Sequence, residues 1–173
     1  MKINKFGIIM TVLLVIFGVA IVFGKDTVER IRLGNEQPDN GRGHVSQTEA
    51  PEYSGDEPPT SGEHGDPVPQ QAYTAELPDY NTIHNLEHGY VYVTYRPDIP
   101  QEEIDKLTGL FFKPYSNEEF APTKVIMAPR SSNKSPIVFS SWRRSMSFET
   151  YDEQQMKDYY LSNVSKSPEP LAS

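Results

Sequence analysis

Four histidines are the residues of this chain best suited to do chemistry, and all of them fall between positions 44 and 88: His44, His64, His84 and His88. Imidazole binds transition metals and moves protons near neutral pH. Each histidine sits in turn-forming sequence: Gly41-Arg42-Gly43-His44, Pro58-Pro59-Thr60-Ser61-Gly62-Glu63-His64, and His84-Asn85-Leu86-Glu87-His88-Gly89. Gathering in one stretch of loop-forming sequence points to a single polar site rather than to four unrelated core positions.

The spacings narrow the chemistry. His84 and His88 are four apart, which puts them on one face of a helix or of an extended strand. The zinc-protease pattern needs Glu directly after the first His; Asn85 stands there instead, so that reading fails. Gly89 and the β-branched run behind it point to an extended chain through His84–His88. His64 lies in a turn between Gly62-Glu63 and Gly65-Asp66-Pro67, and the glycines around Arg42 let the backbone at His44 approach another segment closely. Glu63, Asp66 and Glu87 are placed to be further ligands or to orient an imidazole. Arg130 and Arg143 are candidates for gripping a carboxylate or phosphate, with an internal ion pair as the alternative for Arg130. Tyr73 could hydrogen-bond a ligand, although Tyr53, Tyr73 and Tyr80 also read as loop anchors. Ser61 lacks the G-x-S-x-G elbow of serine hydrolases. Trp142 and Met127 read as core.

Composition bounds the partners. The chain has no cysteine, which removes thiolate zinc sites and cysteine-held iron–sulfur clusters. With Lys2 and Lys5 set aside, the formal charge of −8 becomes −10 for residues 25–173. So acidic a body repels nucleic acid and anionic lipid and attracts cations.

A membrane segment and one small domain are the natural division of 173 residues. Residues 6–24 form an uncharged apolar run of 19, long enough to span a bilayer as a helix and longer than the h-region of most signal peptides. The expected layout is a tail at 1–5, an anchor or signal segment at 6–24, a stalk at 25–40, an extracytoplasmic domain at 41–165 and a disordered tail at 166–173. Basic residues flank the run on both sides, and the short tail is assigned to the inside.

Regular structure is expected after His88. Tyr90–Tyr95 is β-branched and aromatic, the pattern of a strand. Pro100 suits a helix start; Glu102 and Glu103 favour its dipole, and Ile104, Leu107, Leu110 and Phe111 give it one apolar face. Residues 124–128 and 137–142 read as strands joined by a hairpin loop at 129–136, and 145–148 as an extension of the sheet. Thr150-x-x-Glu153 reads as a capping box opening a last helix to about Val164. Loop, strand, helix, strand, strand, helix implies an α+β domain. Two helices cover one face of a small, mostly antiparallel sheet, and the Gly/Pro-rich segment wraps it.

In that order, Gly-x-Gly-His, Pro-Pro-Thr-Ser-Gly-x-His, His-Asn-Leu-Glu-His-Gly, Pro-Arg and Ser-Trp-x-Arg over about residues 40–165 resemble the bacterial DUF3105 family. The resemblance implies an anchored or exported protein and confers no activity. Gln70-Gln71-Ala72 stands where the family commonly has Trp or Gly before the aromatic matched by Tyr73.

The expectation is therefore an extracytoplasmic domain that binds zinc or copper(II) through three or four of His44, His64, His84 and His88. One rival is a hydrolase-like cell-envelope enzyme using a histidine base and an arginine. The other is a non-catalytic partner-binding module whose histidines pin the loop.

Overall fold

A computed structural model describes residues 31–112 and 123–171. The tail, the apolar run at 6–24 and the start of the stalk lie outside the described residues. Among those that are described, no helix is long and apolar enough to cross a membrane.

The scaffold is a mixed five-stranded sheet in the order β1-β5-β4-β2-β3, with three helices among the described residues. The strands are β1 (Asn35–Glu36), β2 (Val91–Tyr95), β3 (Val125–Pro129), β4 (Ile137–Ser141) and β5 (Arg144–Phe148). The helices are α1 (Asp79–Glu87), α2 (Gln101–Phe112) and α3 (Glu153–Asn163). β2 and β3 run parallel, so their connection must cross over through α2. The pairings β2–β4, β4–β5 and β1–β5 are antiparallel.

Strand alternation divides the core in two. Val91, Val93 and Tyr95, with Met127, Phe139 and Phe148, meet Leu107, Leu110 and Phe111 of α2 and Met156, Tyr159 and Tyr160 of α3. Tyr92, Ile126 and Ala128 face the other way, onto Ile83 and Leu86 of α1 and Trp142, with Tyr53 and Tyr73 at the margin. The two expected helices thus share one face, and α1 covers the other.

Five expectations change. His84 lies in a helix, not an extended segment: α1 ends at Glu87 with His88 as its C-cap, and Gly89 turns the chain at φ +82°. A side chain at Gly89 would also meet the Ser165 backbone. The stretch at 129–136 is not a hairpin loop, because β2 lies between β3 and β4; the hairpin is β4–β5, turned at Trp142-Arg143 with Arg143 at φ +56°. The cap of α3 is Asp152, whose carboxylate accepts the Gln155 N–H at 3.0 Å. Residues 165–170 are docked rather than loose, through Ser165 N–H to Gly89 O at 2.9 Å and Glu169 N–H to Glu87 O at 3.1 Å. Part of the stalk range is likewise structured: Asn35–Glu36 pairs with β5, and Arg32 donates to Asn163 Oδ1 and to Trp142 O.

Candidate metal centre

The long loop reaches the site by pairing with itself. Val45 N–H donates to His64 O and His64 N–H to Gly43 O at 3.0 and 2.8 Å, so His44 and His64 lie side by side on parallel extended segments. Tyrosines hold this ribbon: Tyr53 donates to Glu63 O at 2.7 Å, and Tyr80 of α1 donates to Val45 O. A side chain at Gly65 would collide with the Tyr80 ring, so only glycine lets the loop pass so close to α1. Two asparagines one turn apart on α1 complete the attachment. Asn81 donates to Asp66 O, and Asn85 both donates to Val68 O and accepts from its N–H.

This brings the histidines together. Ring centroids are 4.4 Å apart for His44–His64, 4.7 Å for His44–His84 and 5.1 Å for His64–His84. One ligand atom from each of these three lies within 4.8 Å of the others. The fourth histidine adjoins them, its ring 4.5 Å from His84, but its ligand atom groups with carboxylates of Glu87 and Glu169 instead. One histidine cluster is therefore better described as a triad with a neighbour.

Hydrogen bonding fixes which nitrogens are free. His64 Nδ1 lies 2.9 Å from Gly62 O and His84 Nδ1 lies 2.7 Å from Gly65 O. A carbonyl only accepts, so both Nδ1 atoms carry the proton and both Nε2 atoms carry a lone pair in the neutral ring. Such a backbone contact is how metal-binding imidazoles are commonly oriented. His64 Nε2 faces Glu87 Oε2 at 3.1 Å, and His44 Nε2 lies 3.5 Å from the same oxygen. His64 is fully buried and Glu87 is 2% exposed. Burial pushes the His64 pKa down, with Gly62 and Glu87 pulling it back up, while His44 and His84 add to the fall. The neutral ring thus turns an electron pair toward a buried carboxylate, a contact that invites a cation.

The distances suit one. Two ligands about 2.0 Å from a tetrahedral zinc ion stand roughly 3.3 Å apart, close to the 3.5 and 3.1 Å from Glu87 Oε2 to His44 and His64. His84 joins these two histidines within 4.8 Å, while Glu87 groups with His88 and Glu169. His84, Glu87 and His88 all come from the C-terminal end of α1, where the helix dipole favours positive charge. His44, its side chain 59% exposed, opens the cluster to solvent. It borders a polar cleft of about 900 Å³ with Glu63, Asp66 and Tyr80.

Three other candidates lie elsewhere. Arg130 is buried and bonded to Asp79 at 2.8 Å, Asn133 and Gly55 O, the internal ion pair offered as the alternative. Arg143 pairs with Glu36 and Asp39 at the β4–β5 turn. Tyr73 donates to Pro69 O and packs at the edge of the core. Glu63 and Asp66 line the cleft but belong to neither ligand group. Ser61 is held by Pro38 O and the Asn40 N–H, which removes it as a nucleophile. Glu169 went unseen in the sequence. Nothing local marks it, since only the fold brings the C-terminal segment beside α1.

The description "Protein of unknown function (DUF3105)" matches residues 44–173, and the chain belongs to that family. The match takes in all four histidines, Glu87 and the docked segment with Glu169. No curated protein and no solved structure matches the chain.

Proposed function

We propose that this is a transition-metal-binding domain held at the outer face of a membrane by residues 6–24, with His44, His64 and His84 as ligands and Glu87 as the fourth. The observation that carries the reading is the pair of Nε2 atoms around Glu87 Oε2 at 3.1 and 3.5 Å. His64 Nε2 and Glu87 Oε2 are buried acceptors that face each other, which is costly unless a cation lies between them, and His44 Nε2 reaches the same oxygen from the solvent side. Three imidazoles and a carboxylate without thiolate suit zinc or copper(II). The acidic charge of the chain raises the local concentration of either.

The test is elemental analysis of the full-length chain, purified in detergent without a polyhistidine tag, beside His64→Gln/His84→Gln. The variant is expected to hold about one zinc or copper per chain fewer than the wild type, while its circular dichroism stays folded. A folded wild type that takes up neither metal at neutral pH would sink the reading.

A catalytic role has one observation in its favour. His44 stands at the cleft, so a water could enter if Glu87 swung aside, giving the open three-histidine geometry of hydrolytic zinc. Hydrolysis of a model ester by the zinc-loaded chain, abolished by His44→Ala, separates an enzyme from a carrier or structural centre.

A further inference from the structure

The C-terminal segment carries a carboxylate to the same end of α1, and the fold builds a place for it. Glu169 N–H bonds Glu87 O, and Lys124 Nζ bridges His88 O at 2.9 Å and Pro170 O at 2.7 Å. Ser165 N–H bonds Gly89 O. The Glu169 side chain is thereby held over His88, with Nε2–Oε2 at 3.9 Å. One ligand atom each from Glu87, His88 and Glu169 lies within 4.8 Å of the other two. The contacts of Glu169 with His88 and with Arg42, the latter at 3.8 Å, are longer than hydrogen bonds, so the carboxylate is free to turn inward.

Glu87 belongs to this group and also faces the histidine triad. Its side chain is 3% exposed, and the triad's His64 Nε2 is 3.1 Å from one of its oxygens. A carboxylate has two oxygens, and each can hold a different ion. The rings of His84 and His88, one from each group, are 4.5 Å apart. The shared neighbourhood of Glu87 and the contact of these two rings put the groups side by side, as a pair of metal ions with a bridging carboxylate requires.

We propose that the chain holds a pair of metal ions bridged by Glu87: one on His44, His64 and His84, and a second on His88 and Glu169. This rests on the metal-binding reading above and extends it. The second position has one nitrogen and two oxygen donors, a harder set than the triad, which suits zinc, iron or manganese better than the all-imidazole position does. The C-terminal segment is then part of the centre, because it supplies a ligand that closes the second position.

The experiment is a zinc titration of the metal-free full-length chain in detergent, with free zinc read by a colorimetric chelator. The wild type should take two equivalents. Glu169→Ala, an exposed position that leaves the fold intact, should take one, as should His88→Ala. With two equivalents of cobalt(II), the paramagnetic signal should be weaker than that of two isolated ions, as expected for a bridged pair. One equivalent in the wild type would overturn the second position and leave the histidine triad standing. Two equivalents retained in both variants would also overturn it, and full cobalt signal would overturn the bridge. No zinc at all in the folded wild type would remove both readings.

Discussion

Glu87 is where the chemistry of this chain concentrates, and a substitution there separates folding from binding. Its carboxylate is buried against His64 Nε2, which the Gly62 carbonyl on Nδ1 fixes as an acceptor, and Gln would offer an N–H in its place. The account predicts that metal-free Glu87→Gln melts at or above the wild-type temperature, yet binds zinc at least 10-fold more weakly by calorimetry. A pH effect also belongs to single residues. Burial is the first cause lowering the pKa of both His64 and His88, with His84 pushing His88 the same way. Below about pH 6.5 the unfolded chain therefore binds more protons than the folded one, and stability falls as pH falls. Urea melts of the metal-free chain at pH 7.5 and 5.5 should show the loss, and His64→Gln should shrink it. Equal stability at both pH values would contradict the burial argument. The carboxylates held low by hydrogen bonds, Glu49, Glu76 and Asp152, act further down the scale and do not confuse this window.

Among the elements, α1 decides the site, and its sequence hid it. Only Ile83 and Leu86 are apolar and buried on it, too few for a helical period to stand out, and Gly89 follows at once. The signals present were Pro78 at the N-cap and Asp79 in the first turn, both usual at helix starts. β2 to β5 and the other two helices were legible because β-rich composition and three-four spacing are local, whereas the two-residue β1 lay hidden in the stalk range. The partnership of β4 with β2 rather than β3 was not, since sheet order is set by packing over distance. The gathering of the histidines beside Glu87 was legible from spacing and loop composition; where Arg130, Arg143 and Tyr73 sit was not, because an arginine's partner or a tyrosine's acceptor comes from the fold. Two variants test the elements. Asn85→Ala removes both bonds to Val68, and should cost about 1–3 kcal/mol and loosen the loop carrying His64. Arg130→Ala leaves Asp79 in a buried position without its partner, and should cost about 3–5 kcal/mol while the folded fraction keeps its full metal content. Metal loss in folded Arg130→Ala would return that residue to the site.

For the molecule as a whole, the loop at 41–78, the end of α1 and the C-terminal segment converge around the histidines without any disulfide to hold them. A bound ion would take over that role. Ligand saturated at 100 times its Kd adds about 2.7 kcal/mol to folding, which raises the melting temperature by several degrees in a domain of this size. Chelator should therefore lower the melting temperature, and reductant should leave it unchanged. The most direct measurement is X-ray absorption at the metal edge of the untagged full-length chain after loading with one equivalent of zinc. The account predicts nitrogen and oxygen neighbours at about 2.0 Å, with outer-shell scattering from about three imidazoles that falls in His64→Gln/His84→Gln. A spectrum without imidazole scattering, or a folded chain that retains no zinc, would contradict it.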